Sequence, residues 1–181
     1  YRVAWKYWDG DLNYTEPGFT GGEARSSMHF ARGPMTRGAT RPALQIHPPW
    51  KPGGGTAFAE YRVRLPQSKP IVLSFGNAIR DNAAGEPPSD GVTFRVWAGE
   101  EKLFEKHTDS KVWVDSEVDL SRFAGQEILL RLESHPGPKR DTTCDSSYWA
   151  DPVIRAGKPP VVMTDAQKEA LRQRARKLVA E

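Results

Sequence analysis

Apolar and polar residues alternate along segment 91–98, and this period of two constrains the fold more than any other feature of the chain. Val92, Phe94 and Val96 fall on one side of the segment, while Thr93 and Arg95 fall on the other. Strict alternation places successive side chains on opposite faces of a β-strand. The same period recurs over 1–7, 58–65, 71–75, 102–107, 112–118, 128–133 and 148–154. The chain is therefore predicted to be all-β.

Turns rich in glycine and proline separate these strands. The 181 residues include 16 glycines and 15 prolines, which is typical of many short strands joined by tight connections. A chain of this length with about eight to ten such strands favours an antiparallel β-sandwich of jelly-roll type. We assign residues 1–157 to this one domain.

The pattern changes after the lysine and two prolines at 158–160. Residues 158–181 are rich in helix-forming side chains, and Thr164 stands where an N-cap is expected. This segment is predicted to be a linker followed by a C-terminal helical extension. A thin apolar stripe along that helix consists of Leu171, Ala175, Leu178 and Val179.

Charge and cysteine content exclude several classes of protein. The net charge of +3 is too small for a typical nucleic-acid-binding chain, and no apolar run is long enough to span a bilayer. Cys144 is the single cysteine, so no intrachain disulfide can form. Because the chain begins at Tyr1, we interpret it as part of a longer protein and expect an extracellular, periplasmic or cell-surface location.

The sequence carries no recognisable catalytic motif. The four histidines are scattered without metal-ligand spacing, and neither a nucleophile elbow nor a zinc-binding helix motif is found. Acidic residues at strand ends are more often solvated or capping than catalytic. This chain is therefore predicted not to be an enzyme by itself.

Loop aromatics beside polar residues point to a binding site for sugar. A sugar ring offers an apolar face for stacking and a rim of hydroxyls for hydrogen bonds. Because loops at one end of a sandwich converge, residues distant in the chain can share one site. Trp50 and Trp149 are the predicted stacking residues. The predicted hydrogen-bonding residues are His47, Arg80, Asp81, His135 and Asp145.

Two further ligands are compatible with the sequence. A structural calcium ion needs about six to eight oxygen ligands, and a discontinuous site could draw them from Asp9, Asp11 and Asp151. A basic strand face could bind an anionic polysaccharide, or it could be an ordinary solvated face. That face would consist of Arg62, Arg64, Arg95 and Arg131.

Three segments in order resemble the NPCBM-type carbohydrate-binding domains of bacterial exported proteins. They are Ser89-Asp-Gly-Val-Thr-Phe-Arg-Val-Trp97, Val118-Asp-Leu-Ser-Arg-Phe-Ala-Gly-Gln126 and Asp145-Ser-Ser-Tyr-Trp-Ala-Asp-Pro-Val-Ile154. The similarity covers roughly residues 43–155. It implies a jelly-roll sandwich that serves as an accessory module and holds a polysaccharide-degrading enzyme on its substrate.

Together, these features predict a non-catalytic carbohydrate-binding module of a larger exported enzyme. The expected partners are a polysaccharide or glycan, either neutral or anionic, and a neighbouring domain of the same chain. An alternative is an interaction module that binds no sugar and buries its tryptophans against that neighbouring domain. A third possibility is that its loops complete the active site of a neighbouring catalytic unit.

Overall fold

A computed structural model describes residues 1–8, 10, 12–16, 18, 20–21, 25–50 and 54–157. The predicted C-terminal helix and the calcium candidates Asp9 and Asp11 lie outside these residues. No helix in the described ranges is long and apolar enough to cross a membrane. The strands are β1 (Arg2–Tyr7), β2 (Leu12–Thr15), β3 (Thr20–Gly21), β4 (Ser26–Ala31), β5 (Ala43–His47), β6 (Gly55–Arg64), β7 (Ile71–Ile79), β8 (Val92–Ala98), β9 (Glu101–Thr108), β10 (Val114–Asp119), β11 (Glu127–His135) and β12 (Ser147–Ala156).

The strands form two six-stranded antiparallel sheets, which confirms the predicted all-β sandwich. Sheet A has the order β2-β1-β6-β11-β8-β9, and sheet B has the order β10-β7-β12-β5-β4-β3. Neighbours in each sheet come mostly from distant parts of the chain. The β6–β11 ladder, for example, pairs Phe58 with Glu133 and Tyr61 with Leu130.

The core lies between the sheets and follows the period of two. Val92, Phe94 and Val96 of β8 all point inward and are fully buried, as their alternation predicts. Trp149 of β12 is also fully buried, with its ring centroid 5.1 Å from Phe75 of sheet B and 5.3 Å from Phe94 of sheet A. The prediction that Trp149 stacks on a sugar is therefore wrong, because no face of its ring reaches solvent.

Three strands of the first 41 residues lack a clear sequence signal. The segment after the first strand reads as loop-rich, yet it contains β2, β3 and β4. In β4, Ser26 and Met28 point into the sandwich, and the Ser26 hydroxyl donates to the carbonyl of His47 at 2.7 Å. A serine that faces the core interrupts the apolar alternation in the sequence. Its hydroxyl is tolerated there because it is hydrogen-bonded.

Strand β7 is longer than its apolar pattern suggests. Alternation predicts a strand over 71–75, whereas the ladder continues to Ile79. The polar Asn77 lies inside this extension, where it is only 2% exposed and donates to the carbonyl of Tyr148 at 3.4 Å. The hydrogen bond lets a polar side chain occupy an inward position.

Candidate functional site

The outward face of sheet A is unusual because several of its side chains are buried. Ala57 and Ala59 of β6 belong to the core, so Thr56, Phe58 and Glu60 point to the opposite face. The outward face of a sandwich sheet normally meets water, but Phe58 is 2% exposed and Glu60 1% exposed. Other side chains must therefore cover this face.

Two arginines and a tyrosine provide much of that cover. The Arg131 guanidinium lies 4.1 Å above the Phe58 ring and donates to Glu60 Oε1 at 2.7 and 3.1 Å. Arg2 donates to Glu60 Oε2 at 2.9 Å, and the Tyr14 hydroxyl donates to the same oxygen at 3.3 Å. Charge-assisted bonds of this kind hold donors and acceptor in a fixed geometry.

A groove of about 430 Å³ lies beside this cluster on the same face. We call it the sheet A groove. Its walls come from strands β1, β2, β6 and β11 and from Trp8, which directly follows β1. The residues that line it are Lys6, Trp8, Leu12, Thr56, Phe58, Arg131 and Glu133.

The carboxylate in the groove is held in place. Glu133 is 5% exposed and accepts hydrogen bonds from the Thr56 hydroxyl at 2.9 Å and from Arg95 at 3.3 Å. Arg95 is itself oriented by Glu105, to which it donates at 2.6 Å. Groups fixed in this way lose little conformational entropy when a ligand binds.

Trp8 and His135 meet at one end of the groove. Their ring centroids are 5.0 Å apart, and the Arg140 guanidinium lies 5.1 Å from the centroid of the indole ring. Burial, followed by the charge of Arg95, lowers the pKa of His135 to about 4. Its Nδ1 accepts a hydrogen bond from the Gly137 amide at 2.9 Å. His135 is therefore a neutral neighbour of Trp8 at pH 7.

Trp8 was not among the predicted site residues. In the alternation of the first strand, Trp8 falls on the same side as Arg2 and Lys6. That position is the signal that could have identified it. The position of the groove depends on the pairing of β1 with β6, which the alternation alone does not reveal.

Three predicted site residues lie together at the loop end of the sandwich. Trp50 is 40% exposed, and its ring meets His47 edge-on with 4.8 Å between centroids. Burial lowers the pKa of His47, and the nearby charge of Arg80 lowers it further. Arg80 donates to Glu86 at 2.6 Å, so its charge is already paired. Trp50 and His47 therefore form a smaller, second candidate surface.

Two other predicted residues are not part of that surface. Asp81 forms a two-pronged ion pair with the exposed Arg37 at 2.8 and 2.9 Å. Asp145 is fully buried and accepts from the Ser89 hydroxyl at 2.6 Å. The prediction that Asp145 contacts a ligand is wrong, because its carboxyl group lies below the surface.

Asp151, the described member of the predicted calcium set, forms an ion pair. It lies in a β-bulge of β12 with φ 47°, and Arg41 donates to it at 2.9 Å and to Asp115 at 2.6 Å. Within the described ranges, no three His, Cys, Asp or Glu side chains are grouped so that they could hold a metal ion. The calcium site stays a prediction, since Asp9 and Asp11 lie outside those ranges.

The predicted basic face of arginines is largely neutralised. Arg62 pairs with Glu127 at 2.9 Å, and Arg95 and Arg131 pair with the glutamates described above. Most of these guanidiniums therefore serve to order the sheet surface.

Comparison with known proteins gives one relative in sequence. An uncharacterized protein of Archaeoglobus fulgidus is 34% identical over 102 residues, which are 51% of this chain and 25% of that protein. This chain thus spans about a quarter of the length of the curated relative. No protein-family model matches the chain, so the NPCBM subtype stays a prediction.

Solved structures with a similar fold include carbohydrate-binding modules and an enzyme. A structure of the M60 catalytic domain with the CBM51-1 and CBM51-2 domains of Clostridium perfringens ZmpB matches 86% of this chain and 18% of its own, with TM-score 0.50 and 13% identity. The CBM51 module of Clostridium perfringens GH95, in complex with methyl-galactose, covers 78% of this chain and 95% of its own, with TM-score 0.47 and 13% identity. A Stig cyclase from Fischerella, in complex with an indole compound, covers 78% of this chain and 81% of its own, with TM-score 0.48 and 13% identity.

These structural matches define the class of fold, a β-sandwich of the kind found in carbohydrate-binding modules. A shared fold by itself does not decide the activity. Function has to be argued from the site.

Proposed function

We propose that this chain is a non-catalytic carbohydrate-binding module of jelly-roll type and that the sheet A groove holds the sugar. The observation that carries the proposal is the lining of one groove by the aromatic ring of Trp8 together with the polar groups of Lys6, Arg131 and Glu133, with Phe58 lying beneath Arg131. An indole packs against the C–H face of a pyranose ring, and charged groups bind its hydroxyl rim. The groove volume of about 430 Å³ falls within the range of small-molecule sites.

The hydrogen bonding of the groove argues against glycoside hydrolysis. A glycosidase needs one carboxylic acid that can give a proton to the leaving group and a second carboxylate across the scissile bond. Both oxygens of Glu60 and the Oε1 of Glu133 are already engaged by arginine and hydroxyl donors. These two acids are therefore suited to positioning the surface rather than to proton transfer.

The wider setting of the module is part of the same proposal. A binding module is useful when it brings a catalytic domain to an insoluble or polymeric substrate by raising its effective concentration. We accordingly propose that the module belongs to an exported polysaccharide-degrading enzyme of the NPCBM-like kind. The competing proposal is an interaction module in which Trp8 and Trp50 face a neighbouring domain.

Substitution of Trp8 tests the groove directly. Trp8→Ala should weaken glycan binding at least tenfold, which corresponds to about 1.4 kcal/mol, because the ring that faces the sugar is lost. Binding is measured by affinity electrophoresis and calorimetry with soluble xylan, galactan and polygalacturonate. Trp50→Ala, at the second candidate surface, should leave the affinity within about twofold of wild type.

Melting temperatures of both variants show whether each remains folded. If Trp50→Ala abolishes binding while Trp8→Ala does not, the site lies at the loop end instead. If wild-type protein binds none of a broad glycan array, the carbohydrate-binding proposal is wrong and the interaction module is favoured.

A further inference from the structure

The buried acidic groups on the outward face of sheet A are all paired with guanidiniums of the same face. Glu60 alone is bonded to two guanidiniums, those of Arg2 and Arg131. Glu133 is bonded to Arg95 and to a threonine hydroxyl. These carboxylates are therefore neutralised from within the sheet and contribute little negative potential to the groove.

Two further cations lie near Trp8, one in the lining of the groove and one over the indole ring. The first is the exposed Lys6, and the second is Arg140. Neither has an ion-pair partner among the residues that the structure describes. An anion that binds to them would gain charge-assisted bonds without breaking an existing ion pair.

A neutral sugar would use these two cations poorly. Its hydroxyls can accept hydrogen bonds from them, but a neutral acceptor gains none of the Coulomb attraction that a carboxylate or sulfate gains from a cation. The neighbouring guanidiniums of Arg131 and Arg2 add to the positive potential, and a concave site concentrates that potential. The charge of the groove therefore favours an acidic ligand.

We infer that the sheet A groove selects an acidic glycan, with a uronate carboxylate or a sulfate bound by Lys6 and Arg140 and the sugar ring against Trp8. This inference rests on the proposed carbohydrate-binding function and adds the chemical class of the glycan. It also assigns separate roles: the indole recognises the ring, and the two cations near it recognise the charge.

Paired polymers that differ only in charge test the inference. Polygalacturonate is compared with its methyl-esterified form, and dextran sulfate with dextran, by calorimetry at 50 and 500 mM NaCl. The acidic member of at least one pair should bind at least tenfold more tightly, and this preference should shrink at high salt. The pair that shows the preference identifies carboxylate or sulfate as the recognised group.

Charge variants separate the groove from non-specific attraction by a basic protein. Lys6→Gln and Arg140→Gln should each reduce affinity for the acidic polymer several-fold and leave affinity for its neutral counterpart unchanged. Arg155→Gln makes the same change of charge on sheet B, where Arg155 donates to Ser74, and it should have no effect. An equal loss in all three variants would overturn the inference.

The outcomes also separate this inference from the proposed function. If neutral and acidic polymers bind equally and Trp8→Ala weakens both, the groove binds sugar but does not select charge. If Trp8→Ala binds the acidic polymer as tightly as wild type does, the charge is recognised outside the groove. If no polymer binds at all, both the proposed function and the inference fail.

Discussion

The carboxyl group of Asp145 is buried where the last loop enters β12. Its Oδ1 accepts a hydrogen bond from the Ser89 hydroxyl. Its Oδ2 is buried and has no hydrogen-bond partner in the described part of the chain. Burial raises the pKa of Asp145 to about 8, and the negative charge of Asp90 adds to the effect. A buried acid with one satisfied oxygen is easier to keep neutral than ionised.

This raised pKa predicts a pH-dependent stability. An aspartate in the unfolded chain has a pKa of about 3.9, so the folded protein binds the Asp145 proton more tightly than the unfolded chain does. The contribution of this group is therefore favourable at low pH, and it is lost as the pH rises from about 4 to about 8. Asp145→Asn should raise the melting temperature at pH 8 and flatten its decline over this window.

The stabilisation should be on the order of 2–5 kcal/mol at pH 8. It is measured by thermal and urea unfolding at each pH from 4 to 9. The control is Asp109→Asn, an exposed acid whose replacement should leave the pH profile unchanged. A wild-type-like profile for Asp145→Asn would mean that Asp145 is ionised in the folded protein at neutral pH.

At the scale of the element, β1 and its pairing with β6 place the groove. Lys6 pairs with Thr56 and Tyr7 pairs with Gly55, which brings Trp8 next to the outward side chains of β6. Gly55 permits this close approach, because a Cβ at that position would overlap the Lys6 carbonyl oxygen and lie 2.8 Å from the Tyr7 Cα. Both contacts are with backbone, which cannot move away as a flexible side chain can.

Gly55→Ala is therefore expected to displace the end of β1. It should cost about 1–3 kcal/mol of unfolding free energy, as overpacking generally does, and it should weaken glycan binding by moving Lys6 and Trp8. Urea unfolding and calorimetry with the best-binding polysaccharide measure the two effects. Gly33→Ala is the matched control, since a Cβ there meets nothing within 4 Å. Equal behaviour of the two variants would contradict this account of β1.

At the scale of the whole molecule, Trp149 joins the two sheets. Its ring contacts Phe75 of sheet B and Phe94 of sheet A, and its indole N–H donates to the Ser134 hydroxyl of β11 at 3.2 Å. Removal of this ring would leave a cavity that both sheets share. A close-packed interior collapses only partly around such a cavity.

Trp149→Ala should lower the free energy of unfolding by about 3–5 kcal/mol, as measured by urea denaturation. Trp50→Ala is the control at an exposed position, and it should change stability by less than about 0.5 kcal/mol. If Trp149→Ala proved as mild as Trp50→Ala, Trp149 would not be the central core residue that its burial indicates.

Much of the fold could be predicted because alternation is a local property of a strand. In β8, the residues Val92, Phe94 and Val96 show which face is buried whatever the partner strands are. The signal fails at Asn77 and Ser26, because the Asn77 amide nitrogen and the Ser26 hydroxyl each donate to a carbonyl of another strand. A single segment does not contain the hydrogen bond that makes such a residue acceptable in the core.

The candidate site was predicted less well for the same reason. The sequence does not distinguish the three tryptophans, yet their surroundings differ. Trp8 lines the groove, Trp50 lies on an exposed loop and Trp149 lies in the core. Of the loop residues predicted from composition, His47 and Trp50 are in ring contact. The groove itself depends on ladders such as the one that sets Phe58 opposite Glu133.

The sequence by itself determined that this chain forms strands, which face of the strongest strands is apolar, and that the strands build an all-β sandwich. Only the tertiary structure decided which tryptophan faces solvent, which acids are neutralised and where aromatic and charged groups meet. The physical reason is the distance along the chain over which each property is set. Side-chain alternation is set by neighbours along one strand, whereas burial, ion pairing and the sheet A groove are set by strands that meet across the whole chain.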